Sequence, residues 1–169
     1  QTPLEWRRFG AGELCTELKS LVAGDVAEAG CELTVSVPEG LELTADRDRL
    51  RRVILNLVRN AYQACGSEGG GHIEVCVEAP ADDRRVITVR DDGPGIADET
   101  IDEMFTPFFT TKEKGSGLGL PLSKQIIEQH GGSIEVESRA QTGTVVRIAL
   151  PFDDSIEDSR TTVPEGWLG

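Results

Sequence analysis

The sequence lacks several features that would assign it to a common class. Its four cysteines, at positions 15, 31, 65 and 76, form no CxxC pair, which argues against a zinc site or a thioredoxin-like motif. No apolar run reaches the ~18 residues of a membrane span, and the first ten residues contain no signal-peptide core. We therefore expect a cytoplasmic segment without membrane contact, although a parent protein could be membrane-anchored elsewhere.

Basic residues are also scarce. The 169 residues include 17 Lys and Arg against 30 Asp and Glu, a formal net charge of −13. Nucleic-acid binding requires clustered Lys and Arg, so we expect no nucleic-acid partner. One bound nucleotide is still compatible with this charge, because backbone amides and a divalent cation can offset its phosphates.

The hydrophobic pattern predicts an α+β fold within residues 11–151, a two-layer α/β sandwich. A mixed, mostly antiparallel sheet would carry about three helices on one face. Residues 1–10 are typical of a linker, and residues 152–169 of an acidic, flexible tail. The predicted helices are 11–29, 46–64 and 120–130, and the predicted strands are 31–37, 41–45, 72–79, 84–90, 133–138 and 144–150.

A long irregular region, 91–116, interrupts this pattern and contains at most one short helix at 98–103. Loops of this length inside a compact domain are usually functional. Its end, "GSGLGL", matches neither the P-loop pattern nor the dinucleotide fingerprint. Gly115, Gly117 and Gly119 nevertheless precede a helix N-terminus, where free N–H groups favour an anion. Taken alone, the loop fits a flexible linker equally well.

Two asparagines, Asn56 and Asn60, lie one turn apart on the second predicted helix. Helical geometry places both at the edge of its apolar stripe, on the rim of a groove. Amide oxygens there could coordinate a hard cation, although hydrogen bonding in a solvated flank would also explain them.

Asp91 ends a predicted strand and is followed by a glycine-rich turn, "DGPG". A carboxylate at a strand end can accept a hydrogen bond from an exocyclic amine such as that of adenine. Gly93 and Gly95 would let the backbone approach a flat ligand, although this dipeptide pattern is also common in surface turns.

Three of the five phenylalanines, Phe105, Phe108 and Phe109, cluster in the same irregular region. Such a cluster can attach a moving loop to the domain body, or form a small satellite core.

These four pieces, in this order, resemble the ATP-binding catalytic domain of sensor histidine kinases, within the superfamily of gyrase, heat-shock chaperone, histidine kinase and MutL. "NLVRNA" is similar to its asparagine box, "DDGPG" to its first glycine box, "FTPFF" to its phenylalanine box and "GSGLGL" to its second glycine box. The resemblance covers about residues 11–151 and implies an ATP lid over about residues 93–116.

The resemblance also implies the roles of individual residues. Asn60 would be the Mg²⁺ ligand, and Asn56 would lie beside it near the phosphates as the second catalytic asparagine. Asp91 would bind the adenine amine, and the glycines of the second box would give amides to the triphosphate. The full ATP-binding set implied is Asn56, Asn60, Asp91, Gly93, Gly95, Ile96, Phe105, Lys112, Gly115, Ser116, Gly117, Leu118, Gly119, Leu120 and Thr144.

The resemblance implies phosphoryl transfer to a histidine rather than hydrolysis, since gyrase-like ATPases carry a glutamate base where this chain has Asn56. The phosphoacceptor would lie on a dimerisation domain that is absent from this sequence, and a response regulator would act downstream. His72 and His130 do not qualify as acceptors, so we expect ATP binding without autophosphorylation by this chain alone. The alternatives are an ATP- or ADP-binding regulatory module without catalysis, and a serine kinase of anti-sigma type.

Overall fold

The described part of the chain contains three helices and seven strands. The computed structural model describes residues 2–96, 101, 103, 105, 119–139 and 141–157. The helices are α1 (Ala11–Glu28), α2 (Arg47–Ser67) and α3 (Gly119–Gln129). The strands are β1 (Trp6–Gly10), β2 (Cys31–Ser36), β3 (Glu42–Asp46), β4 (Gly71–Ala81), β5 (Arg84–Asp91), β6 (Ser133–Arg139) and β7 (Gly143–Pro151). The short helix predicted at 98–103 lies mostly outside the described residues.

Five strands form one mixed sheet in the order β2-β4-β5-β7-β6. The pair β2–β4 is parallel, and the other three pairs are antiparallel. Alternate residues of the central strands, such as Ile73, Val75 and Val77 on β4, are buried, as period-two patterning requires. The helices pack on the sheet from one side. The predicted α/β sandwich with a mostly antiparallel sheet is therefore confirmed.

The strands predicted at 31–37 and 41–45 are present, but they do not pair with each other as a hairpin. Strands β2 and β3 belong to different sheets, because β3 pairs antiparallel with β1 in a two-stranded sheet. Four consecutive residues of β3, Leu43 to Asp46, are buried. Consecutive buried residues mean that both faces of β3 are covered, unlike a strand of an antiparallel sheet with one solvated face. Its partner, β1, lies within the segment that the sequence analysis assigned to a linker.

Helix α2 positions the site. It begins after Asp46, whose side chain accepts a hydrogen bond from Arg49 N at 3.2 Å, as expected of an N-cap. Its apolar stripe packs against the sheet and the other helices; the buried residues are Leu50, Val53, Ile54, Leu57, Val58, Ala61, Tyr62 and Cys65. Within the described ranges, none of the helices has the length and apolar character that a membrane span requires.

The first residues of the predicted flexible tail are packed rather than free. Asp153 N donates to Thr44 Oγ1 at 3.1 Å, and Arg8 N donates to the Glu157 carbonyl at 3.0 Å. The guanidinium of Arg85, itself buried, lies 3.8 Å from the ring centroid of Phe152. Residues 152–157 therefore lie against the β1–β3 sheet, whereas 158–169 are outside the described residues.

Substituting Gly132 should destabilise the fold, because a Cβ there would lie 2.2 Å from the backbone oxygen of Ala149. We expect Gly132→Ala to lower the free energy of unfolding by about 2–3 kcal/mol, measured by urea denaturation. The matched control is Gly24→Ala on α1, where a Cβ would meet nothing within 4 Å and should stabilise the helix by about 0.5–1 kcal/mol. Equal stability of the two variants would contradict the close approach at Gly132.

Candidate functional site

Helices α2 and α3 run antiparallel, and polar contacts fix their alignment. Asn56 Nδ2 donates to Ser123 Oγ at 3.4 Å, and Arg49 Nη1 donates to Gln129 Oε1 at 3.5 Å. Moving four residues along each helix from the Asn56–Ser123 contact, about 6 Å, reaches Asn60 on α2 and Gly119 on α3. The N-terminus of α3 therefore lies level with Asn60.

This alignment brings together two of the predicted motifs. Asn56 and Asn60 are both half-buried, as predicted for the rim of a groove. Gly119 and Leu120 begin α3, where the backbone N–H groups have no partners within the helix and the helix dipole favours an anion. An amide oxygen and a helix N-terminus together suit a phosphate with its counter-cation. The rest of the second glycine box, 115–118, and Lys112 are outside the described residues.

Asp91 lies at the C-terminus of β5, and the turn that follows it contacts Ala64 and Cys65 on α2, about one helical turn beyond Asn60. The Asp91 side chain is buried, with the residue 8% exposed, and Oδ1 accepts a hydrogen bond from Gly93 N at 2.9 Å. A Cβ at Gly93 would lie 2.9 Å from Asp91 Oδ1 and 3.4 Å from Cys65 N. Glycine is therefore required where this turn contacts the last turns of α2.

The segment after Gly93 is held by the β6–β7 hairpin. Gly95 has φ of +76°, a conformation that favours glycine. Ile96 N donates to Ser138 Oγ at 2.6 Å, and Ser138 Oγ donates to the Gly143 carbonyl at 3.0 Å. Thr144 Oγ1 lies 3.1 Å from the same hydroxyl. The structure thus joins the predicted residues Ile96 and Thr144 through one serine.

Ser138 is not among the site residues predicted from the sequence. Its signal was available in the hairpin register, since Ser138 is directly opposite Thr144 on the neighbouring strand, and Ser–Thr pairs often hydrogen-bond across strands. The fold-back of the 93–96 segment onto that pair had no comparable signal in the sequence.

Phe105 lies beside α3. The Lys124 ammonium nitrogen is 5.5 Å from the centroid of the Phe105 ring, within the range of a cation–π contact. Leu120, on the first turn of α3, is partly buried against the core. Phe108 and Phe109, the other members of the predicted aromatic cluster, are outside the described residues.

Burial sets the chemistry of the cysteine next to Asp91. Cys65 is fully buried on α2, and its pKa is raised to about 12, mainly by burial and then by the negative charge of Asp91. A thiol with this pKa stays protonated near neutral pH and is a poor nucleophile. Cys65 is thus a structural residue under the Gly93 turn.

The two histidines have structural partners. His130 is 2% exposed; Nδ1–H donates to the Ile126 carbonyl at 2.7 Å, and Nε2 accepts from Asp46 N at 3.0 Å. Its hydrogen bonds are therefore those of the Nδ1–H tautomer. His72 is exposed, with Nε2 3.0 Å from Thr34 Oγ1.

A cavity of about 690 Å³ lies beside Asp91 and the β6–β7 hairpin. Its lining includes His72, Asp91, Asp92, Ser138 and Gly143. The cavity therefore reaches the carboxylate of the predicted site and the serine that holds Ile96.

The groove between α2 and α3 offers too few oxygen ligands to hold a cation by itself, but it could hold one together with a phosphate. Among the described residues, no cluster of three or more His, Cys, Asp or Glu side chains could hold a metal ion. Mg²⁺ commonly takes few protein ligands and fills its octahedral shell with phosphate oxygens and water. The amide oxygen of Asn60 beside the N-terminus of α3 suits that mode of binding.

Comparison with known proteins identifies the family. The model of the histidine kinase-, DNA gyrase B- and HSP90-like ATPase family matches residues 45–154, about two thirds of the chain, and the chain belongs to this family. Its relatives are sensor histidine kinases, and it corresponds to their ATP-binding catalytic domain.

The sensor histidine kinase ZraS of Klebsiella oxytoca is 37% identical over 158 residues, which cover 93% of this chain and 34% of ZraS. The catalytic domain of the histidine kinase ThkA superposes with a TM-score of 0.78 at 34% identity, covering 88% of this chain and 99% of that domain. ThkA in complex with the response regulator protein TrrA gives 0.74 at 31% identity, covering 88% and 42%. The chain spans about a third of the length of the curated relatives it matches.

Removing the Ser138 hydroxyl should release the 93–96 segment from the hairpin. We expect Ser138→Ala to speed hydrogen exchange of the Ile96 amide by about tenfold or more, because that amide loses its acceptor. Exchange would be followed by NMR. The control is Ser133→Ala, an exposed serine on the same strand, which should leave Ile96 unchanged. If both variants exchange like the wild type, Ser138 does not hold this segment.

Proposed function

We propose that this domain binds Mg-ATP and transfers the γ-phosphoryl group to a histidine on a separate dimerisation domain. A response regulator would then receive the phosphoryl group. The observation that carries the proposal is the arrangement along α2. Asn60 lies level with the N-terminus of α3, and Asp91 with Gly93 lies at the last turns of the same helix.

In this proposal the adenine binds at the C-terminal end of α2. The Asp91 carboxylate accepts a hydrogen bond from the exocyclic amine, while Gly93 and Gly95 let the backbone approach the ring. Support comes from the burial of Asp91 and from the rigid attachment of the following residues to Ser138. Ile96, Phe105 and Thr144 are proposed to complete this end of the pocket.

The triphosphate extends along α2 toward the N-terminus of α3. Gly119 and Leu120 supply backbone N–H groups there, and Gly115, Ser116, Gly117, Leu118 and Lys112 are proposed to add further contacts. Asn60 would supply one oxygen ligand to Mg²⁺, which when bound neutralises phosphate charge. Asn56, oriented by its bond to Ser123, would lie beside the terminal phosphates.

The choice of acceptor follows from the chemistry of Asn56. An amide cannot take a proton from water, so this position does not activate hydrolysis. A neutral imidazole nitrogen already carries the lone pair that attacks the γ-phosphorus. The P–N bond forms as the P–O bond to the β-phosphate breaks, and ADP leaves with the electron pair. Positioning and charge neutralisation then supply most of the catalysis.

The proposed partners are a histidine-bearing dimerisation domain and a response regulator. The complex of ThkA with the response regulator protein TrrA supports the second, because the ThkA catalytic domain aligns with most of this chain.

A transfer assay tests the proposed reaction. The chain would be incubated with γ-labelled ATP, Mg²⁺ and a histidine-bearing dimerisation domain supplied in trans. We expect acid-labile phosphohistidine on that domain, no label on this chain alone, and no transfer by Asn60→Ala, which removes the proposed cation ligand. ATP binding without transfer would favour a regulatory nucleotide-binding module. Acid-stable phosphoserine on a partner would favour a serine kinase.

The adenine contact predicts a selective loss in Asp91→Asn. This variant keeps an oxygen for Gly93 N but can turn an N–H₂ donor toward the adenine amine, so two donors would face each other. We expect the affinities for ATP and ADP to fall equally, by about 30- to 100-fold, measured by calorimetry.

The control for this variant is Asp92→Asn. Asp92 Oδ1 accepts hydrogen bonds from His72 N at 2.8 Å and from Cys65 Sγ at 3.7 Å, and an asparagine oxygen can replace it in both. Its ATP and ADP affinities should match the wild type. Unchanged nucleotide binding by Asp91→Asn would exclude Asp91 from the adenine site.

A further inference from the structure

A buried contact joins the two helices of the proposed site at the end remote from the nucleotide. His130 follows the C-terminus of α3, and its Nε2 accepts a hydrogen bond from the backbone N–H of Asp46, the N-cap of α2, at 3.0 Å. Its Nδ1–H donates back to the Ile126 carbonyl within α3 at 2.7 Å. One imidazole therefore ties the last turn of α3 to the first turn of α2.

The N-terminal segment, residues 2–6, is attached to the same point. Glu5 N donates to Asp46 Oδ2 at 3.1 Å, and Arg49 Nη2 donates to the Thr2 carbonyl at 2.7 Å. The ring of Trp6 meets that of His130 edge-on, with centroids 5.2 Å apart and an interplanar angle of 66°. The segment thus contacts the N-cap of α2 and the end of α3 together.

The position of α3 decides the geometry of the phosphate end. From His130 to Gly119 the chain spans eleven residues, about 16 Å of helix. A packed helix moves largely as one rigid body. A displacement of the end of α3 at His130 would therefore also move Gly119 relative to Asn60. The Asn56–Ser123 contact, at 3.4 Å, is a long hydrogen bond, so it restrains this motion less than the shorter His130 contacts.

We propose that His130 is a positioning residue for the nucleotide site, and that through it residues 2–6 are energetically coupled to nucleotide binding. The inference rests on the proposed function, which places the phosphates between Asn60 and Gly119. It assigns His130 no contact with nucleotide. Because coupling between two sites is reciprocal, ATP should also stabilise the contacts of residues 2–6 with Asp46 and His130.

Two substitutions separate the two hydrogen bonds of the imidazole. His130→Asn can place an N–H₂ near the Nδ1 position and keep the bond to Ile126, but its side chain is too short to reach Asp46 N. His130→Gln can place an oxygen near the Nε2 position and keep the bond to Asp46 N, while losing the bond within α3. The control His72→Asn changes the exposed histidine of β4.

ATP and ADP affinities would be measured by calorimetry with Mg²⁺, well below the unfolding temperature of each variant. We expect His130→Asn to bind ATP about fivefold more weakly, and His130→Gln and His72→Asn to bind within about twofold of the wild type. Rescue by His130→Gln would show that the bond to Asp46, rather than burial of any polar side chain, positions α3. Equal binding by His130→Asn and the wild type would overturn the inference.

A measurement on the unsubstituted chain covers the case in which His130→Asn fails to fold. Saturating ATP should slow hydrogen exchange of the Asp46 and Glu5 amides by about fivefold beyond any change in global stability. Unchanged exchange in the presence of bound ATP would overturn the coupling while leaving the proposed function intact. If the wild type binds no ATP, the proposed function fails and the inference fails with it.

Discussion

The antiparallel packing of α2 against α3 is the constraint on which the candidate site depends. Each helix contributes one weak element, an amide side chain or a set of unpaired backbone N–H groups, and neither is a binding site by itself. The contacts of Asn56 with Ser123 and of His130 with Asp46 together fix how far one helix is displaced along the other. That displacement places Asn60 level with Gly119, so that one ligand could contact both elements. Burial of Ile126 and Ile127 on α3 and of the apolar stripe on α2 supplies the energy that keeps this alignment.

The net negative charge of the chain makes an uncharged groove between α2 and α3 necessary for a phosphate ligand. A chain with a formal net charge of −13 does not attract a triphosphate at long range, since its overall field repels anions. Screening limits that repulsion to about 8 Å at physiological ionic strength. Within this distance, neutral amide oxygens, helix N–H groups and a cation brought by the nucleotide dominate. The groove residues placed by the structure, Asn56, Asn60, Ser123 and Gly119, are all uncharged. The carboxylate of the candidate site, Asp91, lies beside the last turns of α2, where the proposed ligand would present an amine rather than a phosphate.

Features that depend on neighbouring residues could be predicted from the sequence, whereas features that depend on contacts between distant residues could not. Helices α1 to α3 end within three residues of the predicted positions, because caps and period-3.6 patterns are local signals. The groove-rim position of Asn56 and Asn60 follows from the same periodicity. The pairing of β3 with β1 rather than with β2 was not predictable, since it depends on which edge is available after the whole sheet has formed. Ser138 and the neutral tautomer of His130 also escaped prediction. Their partners, Ile96 and Asp46, lie 42 and 84 residues away.

The asparagine at position 56 leaves the domain without a general base one turn before Asn60. A glutamate one turn before Asn60 would give the domain its own base and let bound ATP react with water. An amide in that place removes the base but keeps a hydrogen-bonding group of nearly the same shape, so the nucleotide can be held without being consumed. Under the proposed function, the rate of reaction then depends on when a basic nucleophile arrives, and the domain controls only the position of the phosphoryl group. Such a domain benefits from coupling between its nucleotide groove and the contacts at the other end of α2 and α3. The helix pair that would align the phosphates is the same structure that residues 2–6 contact.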